Sequence, residues 1–66
     1  MRVRINGNEE RVEAGTTVAD LVARYQLEPK QVAVEINRDL VPRKVFDSTI
    51  LKEDDQIEIV TLVGGG

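Results

Sequence analysis

The chain has 66 residues, 41% of them hydrophobic and 32% charged, with a formal net charge of −3 and neither cysteine nor histidine. A domain of that size buries only about 60% of the surface its unfolded chain exposes, which leaves room for one small core and no enclosed substrate pocket beside it. The missing cysteines exclude disulfides. The missing histidines remove the commonest general base and the commonest metal ligand. The acidic balance and the scattered basic residues argue against nucleic acid, and no apolar run is long enough to span a membrane.

Met1, Val3 and Ile5 alternate with Arg2 and Arg4, the pattern of a half-buried strand, and no secretory leader is expected there. Asn6-Gly7 comes next as a hairpin signal, because both residues tolerate positive φ. The return strand is expected through Arg11-Val12-Glu13-Ala14, with Val12 and Ala14 on one face and Gly15 breaking it.

Thr17 with Asp20 three positions on forms a near capping box. Val18, Leu21, Val22 and Tyr25 then share one face of a short helix, opposite Asp20, Ala23 and Arg24. Pro29 stops that pattern soon after Gln26-Leu27. Tyr25 and Phe46, the aromatic residues, are expected in the core.

Val32, Val34 and Ile36 alternate as a third strand, Asn37-Arg38-Asp39 reads as a turn, and Leu40-Val41 as a brief strand before Pro42. Val45-Phe46 and Ile50-Leu51 are apolar pairs that pin a long connection to the core. Lys52-Glu53-Asp54-Asp55 is expected as a solvated turn without the spacing of a calcium loop. Gln56 to Leu62 forms the last strand, with Ile57 and Ile59 facing one way and Glu58, Val60 and Leu62 the other. The sum is an α+β domain over residues 1–62: a mixed sheet of four to five strands with one helix on one face, the β-grasp or ubiquitin-like arrangement.

Val63-Gly64-Gly65-Gly66 is expected as a flexible tail over residues 63–66. Extended, four residues reach about 13 Å beyond the strand, and without Cβ atoms they thread a channel closed to other residues. Such a tail delivers a carboxylate, that of Gly66, with Gly64 and Gly65 giving clearance. A carboxylate must be activated before it accepts a sulfur or nitrogen nucleophile, and this chain carries no phosphate-binding loop to do it. The expected activator is a separate ATP-using enzyme, so the chain is a substrate rather than an enzyme. Val60, Leu62 and Val63, beside the tail, are candidate partner-binding residues.

The chain resembles the sulfur carrier protein of thiamine biosynthesis over nearly its whole length. The resemblance rests on Asn6-Gly7, on Ala14 to Val18, on Val34-Glu35-Ile36-Asn37 followed by Val41-Pro42-Arg43, and on Ile57-Glu58-Ile59-Val60 running into the glycine end. It implies that a partner adenylyltransferase joins the Gly66 carboxylate to AMP. Sulfur from a cysteine desulfurase or related donor would then give a thiocarboxylate, which thiazole synthase consumes. It further implies a cytoplasmic carrier, monomeric when free, that binds no cofactor or metal itself. Two departures stand out: the turn before the last strand has no glycine where the family commonly has Gly-Asp, and a third glycine precedes the functional pair. Left open are a molybdopterin-type sulfur carrier, a ubiquitin-like interaction module with no C-terminal chemistry, and a protein modifier.

Overall fold

The computed structural model describes residues 1–62; the expected tail, Val63, Gly64, Gly65 and Gly66, lies outside the described residues. The described residues form strands β1 (Arg2–Ile5), β2 (Asn8–Arg11), β3 (Val32–Ile36), β4 (Asp39–Leu40) and β5 (Gln56–Thr61), and one helix, α1 (Val18–Arg24). The strands make a mixed sheet in the order β2-β1-β5-β3-β4, with β1 and β5 parallel and the other pairs antiparallel. This is the expected β-grasp arrangement.

The helix begins as the sequence predicts. Thr17 accepts from the Asp20 backbone and Asp20 accepts from the Thr17 backbone, both at 3.1 Å, so two otherwise orphaned donors are satisfied. Its end has a different cause from the expected one. Gln26 takes a left-handed φ of 60°, its N–H donates to the Ala23 carbonyl and that of Leu27 to the Val22 carbonyl. This paired closure stops the helix before Pro29 is reached; Pro29 instead opens a 3₁₀ turn, Pro29–Gln31.

Val18, Leu21 and Val22 bury themselves against Val3 and Ile5, Val32 and Val34, and Ile57 and Ile59 of the sheet. Phe46 and Leu51, from the long connection, close the rest of this core. Ile50 does not join its neighbour: it is exposed, since Thr17 and Ile50 bridge at the backbone and leave the inward position to Leu51. Tyr25 is likewise not a core residue. It falls at the helix C-cap, where the chain turns away, and keeps 39% of its surface exposed.

The second strand occupies Asn8–Arg11 rather than Arg11 to Ala14. The tight Asn6-Gly7 turn fixes the register, with Ile5 opposite Asn8 and Arg2 opposite Arg11. Val12 still lies inward, its backbone joined both ways to Met1, whereas Ala14 is exposed.

Candidate functional site

The site predicted from sequence is the end of β5 and the glycines beyond it. The alternation within β5 places Ile57 and Ile59 under the helix, while Glu58, Val60 and, just past the strand, Leu62 face solvent. Val60 and Leu62 are 55% and 49% exposed, unusual for large aliphatic side chains this close together. Opposite Val60 on β3 stands half-buried Ala33, and Leu40 of β4 stands opposite Glu35. The arginines of β1 do not reach this strip. Arg4 is level with Gln56, and Arg2 makes exposed ion pairs with Glu53 and Asp54 at 3.8 and 3.6 Å, which contribute little.

Two asparagine side chains hold β5 in place. β1 ends at Ile5, level with Ile57 and so four residues short of the end of β5. Asn6 completes the ladder with its amide, accepting from the Ile59 N–H at 2.8 Å and donating to the Ile59 carbonyl at 3.1 Å. On the other edge the β3 pairing runs on until the Leu62 N–H donates to the Gln31 carbonyl at 2.7 Å. β5 is therefore held from both sides as far as Ile59, and from the β3 side as far as Leu62.

Asn37 acts at the start of the same strand. Its side chain accepts from the Gln56 N–H at 3.1 Å and donates to Asp55 at 3.0 Å. Asp55 also accepts from the Lys52 N–H at 2.8 Å and is 7% exposed. The acidic turn is thus only partly solvated as expected: Glu53 and Asp54 are exposed, but Asp55 is a buried, hydrogen-bonded pin. Asp54, where the resemblance leads one to expect glycine, does adopt a left-handed φ of 67°.

One groove lies on the helix side of this strand end, about 490 Å³ in volume, walled by Ile5, Leu27, Ile59 and Tyr25, with Glu10 at its rim. Partial burial raises the pKa of the Tyr25 phenol above its ordinary value, the Glu10 carboxylate adds to the effect, and Arg24 opposes it. Nothing in this groove makes a nucleophile–base pair, and among the described residues no cluster of acidic side chains is arranged to hold a metal ion. No helix among them is long and apolar enough to cross a membrane.

The family model of the ThiS family matches residues 3–66, the open strand end and all three glycines included. The chain belongs to the ThiS family. Among its ThiS relatives, the sulfur carrier protein of Bacillus subtilis is 40% identical over 97% of this chain and 98% of its own length. The crystal structure of the ThiS thiamine biosynthesis protein of Geobacter metallireducens superposes with a TM-score of 0.83 at 29% identity, each chain fully covered. A thiazole synthase of Magnetococcus marinus is 42% identical over the whole of this chain. The chain spans only 20% of the length of the thiazole synthases it matches, so in those proteins a ThiS-like region is one part of a larger polypeptide.

Proposed function

We propose that this chain is a sulfur carrier for thiazole formation in thiamine biosynthesis and that the Gly66 carboxylate is its working group. The observation that carries the reading is the extent of the family match, which runs through the strand end to Gly66 itself. The described geometry supports it. The strand that precedes residues 63–66 is held on both edges as far as Ile59 and carries exposed Val60, with exposed Leu62 just past its end.

In this reading an adenylyltransferase condenses the Gly66 carboxylate with ATP, releasing pyrophosphate and leaving an acyl adenylate. Persulfide sulfur from a cysteine desulfurase or related donor attacks the acyl carbon and AMP departs; a thiol reductant then cleaves the S–S bond of the resulting acyl disulfide, so that one carboxylate oxygen has become sulfur. Thiazole synthase then takes that sulfur. Val60, Leu62 and Val63 rest against the partner enzymes, and Gly64 and Gly65 pass through the channel to the reacting atom. The chain is a protein co-substrate: ATP belongs to the activating enzyme, and Gly66 must be the free end of the species that is activated.

The test is mass spectrometry of the intact protein and of its C-terminal fragment after incubation with ATP, the adenylyltransferase and a sulfur source. Exchange of oxygen for sulfur adds nearly the mass of one oxidation, and Met1 is the sole methionine, so the gain has to be mapped along the chain. A gain on Gly66 is expected. No gain, with the same enzyme active on an established ThiS carrier, overturns the reading in favour of an interaction module.

A further inference from the structure

The helix covers one face of the sheet, and among the described residues Glu35, Leu40, Glu58 and Val60 are exposed on the other. On that open face Glu35 of β3 and Glu58 of β5 stand directly opposite each other. Residues so placed have Cβ atoms roughly 5 Å apart, and like charges at that spacing repel and destabilise the pair. Neither carboxylate has an ion pair among the described residues, where the cations that form them belong to Arg2. Arg38 borders the same depression as both glutamates without bridging them.

Apolar side chains flank the acidic pair. Leu40, 66% exposed, is level with Glu35 on β4, while Val60 and Leu62 come after Glu58 on its outward face. A point charge would suit the carboxylates but not their surroundings. An arginine suits both: its fork of donors can serve two carboxylates at once, and its weakly hydrated plane and aliphatic stem tolerate apolar neighbours.

We propose that this open face docks on thiazole synthase, with an arginine of the synthase seated between Glu35 and Glu58 and apolar synthase residues against Leu40, Val60 and Leu62. The proposal rests on the carrier reading and names the surface that one of its partners uses. Thiazole synthase is the occupant because sequence matching this entire chain forms a fifth of the thiazole synthase polypeptide in relatives, so the two are physically joined there. Charge complementarity then specifies what the synthase must present. The repulsion within the free carrier becomes a discriminator: a surface without a cation gains nothing from covering it.

The experiment compares Glu35→Gln, Glu58→Gln and the double variant with the unaltered chain. Their thermal midpoints should rise by about 2–4 °C as the repulsion is relieved. Binding to the thiazole synthase encoded in the same genome, read by calorimetry, should weaken about tenfold in the double variant and lose most of its salt dependence. Leu40→Ser, at a position too exposed to matter for folding, should weaken binding without changing that salt dependence. Adenylation of Gly66 should persist in all variants, which separates the two failures: loss of the mass gain in the unaltered chain counts against the carrier reading, whereas the binding measurements on the variants decide the face. Synthase binding that survives the double substitution overturns the proposal. So does weakened adenylation accompanied by unchanged synthase binding, which would assign the face to the activating enzyme.

Discussion

The turns after β1 and after β3 use one device at opposite ends of β5. Each places an asparagine in the left-handed region, Asn6 at φ 51° and Asn37 at φ 52°, and each turns that amide onto β5. They differ in the residue after the asparagine and in the part of β5 they hold. Gly7 takes φ 86° without a Cβ to clash, whereas Arg38 takes φ 75° with one. Asn6 grips Ile59 near the outgoing end, beyond the last β1 pair; Asn37 grips Gln56 and Asp55 at the beginning, beyond the last β3 pair. The relaxed turn thus supports the end that leads to Gly66. The strained one supports the beginning, where Arg4 of β1 still pairs with Gln56.

Breaking the first clamp should cost most. At about 0.05–0.15 kcal/mol per residue, a domain of this length has roughly 3–10 kcal/mol of stability in total. Asn6→Ala strips the Ile59 N–H and carbonyl of their partners and forces a Cβ-bearing residue into the left-handed region without an amide. A loss of about 2–3 kcal/mol is expected by urea denaturation. Asn6→Gly keeps the backbone geometry and loses only the amide, so it should fall about 1 kcal/mol short of that loss. Equal losses for the two would mean that the amide alone matters. Hydrogen exchange should then show Thr61 and Leu62 opening before β3 does.

Asn37→Ala should cost less, about 1–2 kcal/mol, because the Gln56 bond is exposed and Asp55 keeps the Lys52 N–H. A larger loss than for Asn6→Ala would reverse the ranking of the two clamps. Arg38→Gly sharpens the comparison from the other side. Relief of left-handed strain outweighs the added entropy of the unfolded chain, and a gain of about 0.5–1 kcal/mol is expected, seen as a midpoint rise of about 3–6 °C. Gly7→Arg, the reciprocal change, should lose stability.

How far these features could be read from sequence depends on where their causes lie. The capping box, the alternation of Ile57 and Ile59 with Glu58 and Val60, and the Asn6-Gly7 turn are all local in cause, and all are present in the structure. Asn37-Arg38 was legible as a turn, but not the reach of either amide to β5, which depends on strands 18 to 53 residues apart in the chain. Nothing in Glu53-Asp54-Asp55 marks which carboxylate turns inward; burial of Asp55 is decided by Asn37. β2 was misplaced because Asn8-Glu9-Glu10-Arg11 is an edge strand, polar on both faces, with no alternation to find. Tyr25 fits the helical apolar period but falls one residue past the helix, where Gln26 has already changed the chain's direction. The exposure of Val60 and Leu62 was legible; that their face also carries an opposed pair of glutamates needed the register of β3 against β5.

The smallest effect uses Tyr25, the sole tyrosine, as a reporter on the Asn6 side. Partial burial first, and Glu10 second, raise its pKa in the folded protein. Below the ordinary tyrosine value of about 10 the phenol is neutral in both states, and its contribution to stability is fully present. As pH climbs past that value the unfolded chain ionises first, so the contribution is lost as pH rises through the folded pKa. The tyrosinate absorbance should therefore appear at higher pH in the folded protein than in urea, and Tyr25→Phe should remove this share of the alkaline loss of stability. Glu10→Gln should bring the titration part of the way back, since burial remains. Asn6 lines the same groove, so Asn6→Ala should also move the titration towards the ordinary value, whereas Asn37→Ala, at the far end of β5, should leave it in place. A shift of equal size in both variants would mean that the two ends of β5 loosen together and that the clamps act as one.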